Sequence, residues 1–358
     1  MLPHERVNTS RWRRPKHCPH KRTGEFTLQR CLFVVMTLLV ATAPPALAKP
    51  IKKDFRHVFP SSPGTVLYLA YGGGEVTLSP WAKDSIAVHI HYKAELKKLG
   101  FGKEPDFQVE FSQRGETVRV VGMQIGGGTT GFVNVSHEDY QVEIEAPTYV
   151  ALDFEGTDGD VTVENWRADV AVRLEDGIAA IRNVTTGQVR VIMEDGRITL
   201  DGIHADLFLK GENGKVDLEN LDVPKGNIRM QDGDVTLNGG RGNFDIELED
   251  GDLHMTRSRL ENASIHTEDG DVDLELDVSP RLDLDIFTRS GSVRVGLAQS
   301  SSVRYSVETK AGRIRIALPG ATGGRESKDR ASGDWNGGDG RLRVVTIDGP
   351  VELRQTSP

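Results

Sequence analysis

The segment IRMQDGDVTL at residues 228–237 returns in related form as IELEDGDLHM at 246–255 and as IHTEDGDVDL at 265–274. In each copy, apolar and polar residues alternate on both sides of an Asp-Gly pair. Alternation with a period of two is typical of a half-buried β-strand, and Asp-Gly favours a turn because glycine accepts a positive φ. One copy therefore predicts two short strands joined at a tight corner.

The same corner recurs along most of the chain. Its glycines are separated by 18, 19, 18, 19, 18, 19, 21, 21 and 37 residues. Such regular spacing indicates a structural repeat, and the last gap, which is close to two periods, predicts a degenerate turn and loop at 321–340. The predicted corner glycines are Gly159, Gly177, Gly196, Gly214, Gly233, Gly251, Gly270, Gly291, Gly312 and Gly349.

Two all-β architectures fit this unit. Asp-Gly between alternating runs is a strong hairpin signal, so an antiparallel meander is one of them. In the other, a parallel β-solenoid, neighbouring copies must keep one length because each coil stacks on the previous one about 4.8 Å away. The spacing therefore favours a single-chain parallel β-solenoid with coils of 18–19 residues. We expect regular coils at 148–354, preceded at 49–147 by an irregular N-terminal β cap and the first coils.

Residues 1–48 have the three parts of a secretory signal peptide. A basic stretch precedes the apolar run 31–43, and the small residues Ala46 and Ala48 then form a cleavage pattern. The apolar run is shorter than the roughly 20 residues that cross a bilayer core. Cleavage after Ala48 predicts an exported protein without a transmembrane segment, located in the periplasm, on the cell surface or outside the cell. An uncleaved membrane anchor is the alternative.

Charge and cysteine content exclude several functions. The 358 residues carry 44 Lys and Arg against 53 Asp and Glu, a net charge of -9. Without residues 1–48 the balance is 36 basic against 51 acidic side chains, or -15, and both cysteines (Cys18 and Cys31) are lost. Nucleic acid is not an expected partner, because phosphate binding needs clustered Lys and Arg. The mature chain also cannot form a disulfide or a cysteine-ligated zinc site.

Aspartates flank the corner glycine in three consecutive copies and are candidates for calcium binding. Ca²⁺ takes six to eight oxygen ligands, and a stack of carboxylates could supply them from neighbouring coils. The alternative is that these residues form turns and remain solvated, since Asp before Gly binds local backbone amides. The six candidates are Asp232, Asp234, Asp250, Asp252, Asp269 and Asp271. No other cofactor is predicted.

Two further constellations bear on metal binding and catalysis. His89 and His91 alternate with apolar residues of the segment 86–90, so both imidazoles are expected to face away from the core. Together with His137 they could bind a metal, although exposed histidines on a strand are commonly just polar positions. A polysaccharide-active β-helix enzyme would use clustered aspartates. Here aspartate recurs at every corner instead of gathering at one place, so no catalytic residue is assigned and no enzyme is predicted.

The chain resembles the bacterial putative-adhesin family of β-strand-repeat proteins, a former domain of unknown function. The resemblance rests on GEVTL at 74–78, the lead-in strand at 142–147, the Asp-Gly corners and GRLRVVTIDG at 340–349. It implies an exported, non-catalytic β-solenoid scaffold that binds a protein or glycan on a surface. A structural or regulatory envelope component that contacts another envelope protein through an edge strand is the first alternative, and a polysaccharide-active enzyme is the second.

Overall fold

The computed structural model describes residues 49–99, 106–125, 132–279 and 281–356. These residues form 22 β-strands, and no α-helix occurs among them. The predicted signal peptide, with Ala46 and Ala48, lies outside the described residues. Within the described ranges, no helix has the length and apolar character needed to cross a membrane.

Most of the described chain is a stack of coils. Each coil has a first arm, a corner at one of the regularly spaced glycines and a second arm. In the early coils, both arms and the corner belong to one long strand. These strands are β2 (Val66–Pro80), β7 (Ala151–Trp166), β8 (Val170–Val184), β9 (Gln188–Ile203), β10 (Asp206–Glu219) and β11 (Asp222–Asn238).

In the later coils, the corner separates the arms into different strands. β13 is shared, since it supplies the second arm of one coil and the first arm of the next. The strands are β12 (Arg241–Asp250), β13 (Leu253–Asp269), β14 (Val272–Leu276), β15 (Asp283–Ser290), β16 (Val293–Leu297), β17 (Val303–Ala311), β18 (Ile314–Ala317), β19 (Thr322–Arg325), β20 (Arg330–Trp335), β21 (Gly340–Asp348) and β22 (Val351–Gln355).

Neighbouring coils pair in parallel with their corners in register. Gly159 stands beside Gly177, and Gly177 beside Gly196. Nine of the ten predicted corner glycines have φ between 119° and 152°, a range that side chains with a Cβ rarely adopt. The parallel β-solenoid is therefore confirmed, and an antiparallel meander does not describe the stack.

Alternate side chains on both arms form the core. In β8, for example, Val172 on the first arm and Ile181 on the second are completely buried. A second corner, which the repeat pattern did not reveal, follows the second arm and places one residue per coil at positive φ. Asparagine tolerates this conformation better than most residues. The second-corner residues are Asn165, Asn183, Gly202, Asn220, Gly239 and Arg257.

The predicted irregular N-terminal β cap is present, and most of its strands pair antiparallel. β3 pairs antiparallel with β1 on one side and with β6 on the other, and β4 and β5 form a hairpin. β5 and β6 then pair in parallel with the first and second arms of β2. The open edge of the first coil is thereby covered. The cap strands are β1 (Lys49–Pro60), β3 (Ser85–Leu99), β4 (Asp106–Arg114), β5 (Thr117–Ile125) and β6 (Phe132–Ala146).

The C-terminal end differs from the predicted order. Strands β21 and β22 lie between the coil β15–β16 and the coil β17–β18, although they follow both in the sequence. Over residues 321–340, where a degenerate turn and loop was predicted, β19 and β20 form an antiparallel hairpin that pairs with β17 through β20. Trp335 anchors this hairpin, since its ring is buried and its Nε1–H donates to the Pro319 carbonyl at 2.9 Å. The 37-residue gap therefore spans a covering hairpin, which protects the edge of the last coil.

Candidate binding groove

The outer face of the first arms carries side chains in rows across the stack. Because the coils are in register, residues at equivalent positions of neighbouring coils lie side by side. The first row consists of Phe208, Asn227, Asp245, Ser264, Asp285 and Arg343. The second row consists of Lys210, Arg229, Glu247, His266 and Phe287.

A groove follows these rows. Two cavities of about 600 and 460 Å³ adjoin each other on this face. Asp245 and Ser264 line both cavities, so the two are parts of one depression that extends from Lys210 on β10 to Arg341 on β21. Five coil spacings separate its ends, which gives a length of about 24 Å. The groove exists because short polar side chains occupy the middle of the first row.

Most charges along the groove wall are paired. Arg229 lies 3.3 Å from the Glu247 carboxylate, and Arg343 lies 3.1 Å from that of Asp285. Arg341 Nε donates to Asp283 Oδ1 at 2.7 Å, and this hydrogen bond raises the pKa of the Arg341 guanidinium.

The groove floor offers groups that a ligand could use. In the part of the chain that the structure describes, the side chains of Ser264 and His266 are exposed and make no hydrogen bond. The His266 ring stacks on Phe287, with centroids 4.8 Å apart and an interplanar angle of 15°. A hydroxyl, an imidazole and the Asp245 carboxylate thus line one groove, and the imidazole is stacked on an aromatic ring. Such a set can bind a polyhydroxylated chain or a polar peptide.

The side chains of Ser264 and His266 are not joined as a nucleophile and its base. Ser264 and His266 lie two residues apart on β13, yet no hydrogen bond joins them or connects either to a carboxylate. Nucleophilic catalysis requires a base within hydrogen-bond reach of the hydroxyl, and that base must itself be oriented by a third group.

The predicted acidic ladder lies at the glycine corners and divides into two sets. Asp234, Asp252 and Asp271 each accept a backbone N–H from the next coil. The donors are Asp252, Asp271 and Ser292, at 3.1, 2.7 and 2.7 Å. The other set, Asp232, Asp250 and Asp269, is exposed and in register. One set therefore links neighbouring coils, and calcium binding at the ladder stays a prediction.

The histidines of the cap have a different neighbour from the one expected. Ile86, Val88 and Ile90 are buried, so His89 and His91 face away from the core as predicted. The structure brings Asp54 of β1 to them, whereas the His137 side chain lies outside the described part of the chain. A hydrogen bond with His89 holds the pKa of the Asp54 carboxyl below its ordinary value.

Sequence reasoning did not find the groove or the part played by Asp54. The one available signal for the groove was the run of short polar residues six positions before successive corner glycines, at Asn227, Asp245 and Ser264. Asp54 is 35 residues from His89, and only strand pairing places the two together.

Fold and surface together define a β-solenoid protein built from parallel coils. The chain belongs to the Toastrack DUF4097 family, which it matches over residues 67–316. This membership confirms the predicted resemblance. No protein among the curated sequences matches the chain.

Solved structures with some similarity include three bacterial proteins. A putative adhesin from Bacteroides fragilis has 13% sequence identity and a TM-score of 0.34, with 86% of this chain and 98% of that chain covered. A putative adhesin from Parabacteroides distasonis has 10% identity, a TM-score of 0.34 and the same coverage. A putative cell adhesion protein from Clostridium sporogenes has 12% identity and a TM-score of 0.21, with 86% and 100% covered.

Proposed function

We propose that this protein is an exported, non-catalytic β-solenoid scaffold that binds a surface polymer or protein along the first-arm groove, in the manner of an adhesin. The observation that carries the proposal is the continuous groove from Lys210 to Arg341, whose floor has an unpaired hydroxyl and imidazole beside an aromatic ring. An extended ligand could contact several coils at once, and many weak polar contacts would then add up.

A glycan is the first ligand to test. Ser264→Tyr places a large ring between the two cavities and should block the groove without changing the core, because Ser264 is exposed. The matched control is Thr236→Tyr, which adds the same ring to the outer face of a second arm. We expect a glycan array to show binding by the wild type and the control, with loss in Ser264→Tyr.

The other two functions predict different results. If the protein is a structural envelope component, a pull-down should recover envelope proteins. The wild type and Ser264→Tyr should recover them equally well. A polysaccharide-active enzyme should release shorter products from a polysaccharide panel. If Ser264→Tyr weakens the binding of no ligand, the groove is not the binding surface.

Export is part of the proposal and has its own test. The basic stretch, the apolar run 31–43 and the small residues at 46 and 48 support cleavage after Ala48. Expression of the full chain in a bacterial host, followed by N-terminal sequencing of the protein outside the cytoplasm, should give a chain that begins at Lys49. A chain that retains residues 1–48 in the cytoplasm would contradict export.

A further inference from the structure

Strand pairing in the cap gathers two imidazoles and one carboxylate on a single face. His89 and His91 are two residues apart on β3, so their side chains project from the same side of the sheet. On the neighbouring strand β1, Asp54 stands opposite His91 and Arg56 stands opposite His89. On the other neighbour, β6, Glu143 stands opposite His89.

The ligand atoms of three of these residues are close enough to share one ion. Asp54 Oδ1 lies 2.7 Å from His89 Nε2 and 3.0 Å from His91 Nδ1. The two imidazole rings have centroids 3.8 Å apart, and one donor atom from each residue lies within 4.8 Å of the others. Tetrahedral zinc with bonds of about 2.0–2.2 Å separates its ligand atoms by about 3.3–3.6 Å. Small side-chain rotations would therefore bring the three atoms to that spacing.

Two groups, Arg56 and Asp54, make opposite demands on Nε2 of His89. Arg56 Nε–H donates to His89 Nε2 at 2.9 Å, which requires a lone pair on that nitrogen. Asp54 Oδ1, 2.7 Å away, needs a proton on the same nitrogen. One nitrogen cannot satisfy both partners. A metal ion near Nε2 would bind its lone pair and the Asp54 oxygen together.

The surroundings also suit an ion that enters from solvent. The side chains of His89 and His91 are 23% and 39% exposed, and that of Asp54 is 62% exposed. Glu143 Oε2 lies 3.6 Å from His89 Nδ1, on the side where outer carboxylates commonly orient metal-bound histidines. Arg56 is the one opposing group, since its positive charge repels a cation and its N–H competes for Nε2.

We propose that Asp54, His89 and His91 form a binding site for a divalent transition-metal ion of the zinc class, with further coordination positions open to water or to a partner. Imidazole nitrogens suit zinc, nickel and copper, whereas calcium takes six to eight oxygen ligands. The site is on the cap and does not depend on the groove of the first arms.

Zinc titration of the purified protein by calorimetry, with Ca²⁺ as the negative control, tests the site. We expect His91→Ala and Asp54→Asn each to weaken Zn²⁺ binding at least about tenfold, since even the loss of an outer-shell partner costs 10–100-fold. Arg56→Gln should strengthen binding several-fold, because it removes the repelling charge and the competing donor. A merely structural role for Arg56 gives no reason for this increase.

The matched control is His254→Gln, which removes a histidine that lies 4.0 Å from Asp273 but has no second imidazole among its described neighbours. This variant should bind Zn²⁺ like the wild type. Unfolding temperatures without metal will show whether each variant is folded. Absence of Zn²⁺ binding, or binding of equal strength in wild type and folded His91→Ala, would overturn the proposal. Two-nitrogen coordination of Cu²⁺ in an electron paramagnetic resonance spectrum, lost in His91→Ala, would support it.

Discussion

A Cβ atom on Gly177 would overlap the backbone carbonyl oxygen of Gly159 in the preceding coil. The same relation links Gly196 to Gly177 and Gly214 to Gly196, so the corner glycines form a ladder in which each residue contacts the next. The ladder requires glycine for two reasons. The φ of Gly177 is 128°, and a side chain would also separate the two backbones.

Gly177→Ala should therefore destabilise the protein strongly. The unfavourable φ alone costs about 1–3 kcal/mol, and the overlap with a backbone atom adds to it because backbone cannot rotate away. We expect the free energy of unfolding, measured by denaturant titration, to fall by about 3 kcal/mol. Gly72→Ala is the matched control, since a Cβ there meets no atom within 4 Å and Gly72 has no positive φ. A similar small loss in both variants would contradict the ladder.

The carboxylates beside the glycines should differ in their effect on stability. Asp271 Oδ1 accepts the backbone N–H of Ser292 at 2.7 Å, whereas Asp269 is exposed at the other side of the corner. Asp271→Ala should lower the free energy of unfolding by about 1 kcal/mol, because a backbone donor loses its partner. Asp271→Asn retains an acceptor oxygen and should lose less, and Asp269→Ala should change little.

Calcium gives the same variants a second use. If the exposed aspartates bind Ca²⁺, its addition should raise the unfolding temperature of the wild type, and Asp269→Ala should reduce that rise. An unfolding temperature that does not respond to Ca²⁺ would leave the amide contacts of Asp234, Asp252 and Asp271 as the role of the ladder.

The coil itself could be predicted because its causes are local. Gly233 and its neighbours show the turn and the alternating strands within ten residues, and repetition of that pattern shows the stack. The groove could not be predicted in this way, since outward positions such as Asn227 and Ser264 are not restricted by packing. The cluster around Asp54 depends on the pairing of two strands that no local pattern specifies.

The buried rungs should be coupled along the stack. Ile246 is fully buried and stands between Ile228 and Ile265 of the neighbouring coils. Ile246→Ala should lower the free energy of unfolding by about 2–5 kcal/mol because it leaves a cavity in a thin core. In hydrogen exchange, the backbone amides of both neighbouring coils should lose protection together. Loss confined to the coil of Ile246 would contradict this coupling. Glu261→Ala, at an exposed position, should change stability by less than about 0.5 kcal/mol.

The order of the last three coils could not be predicted from the repeat, because copies with the same pattern can pair with one another in any order. Val344 pairs with Ile286 on one side and with Val307 on the other, and each of these contacts is a buried aliphatic pair. The hairpin β19–β20 favours the observed order because β20 occupies one edge of β17. β21 therefore pairs with the other edge of β17, between β17 and β15.

Engineered cysteines can test this order directly. Glu352 is in register with Arg294 on one side and with Arg315 on the other. In a chain with Cys18→Ser and Cys31→Ser, the pair Arg294→Cys and Glu352→Cys should oxidise to a disulfide, because adjacent coils are about 4.8 Å apart.

The pair Arg294→Cys and Arg315→Cys is the matched control. Its members are about 9.6 Å apart across the inserted coil, beyond the limit of about 7 Å between Cα atoms. Had the coils stacked in sequence order, this control pair would be adjacent instead. Mass spectrometry should detect which pair is cross-linked. Efficient cross-linking of the control pair, with free thiols in the first pair, would contradict the observed order of the last two coils.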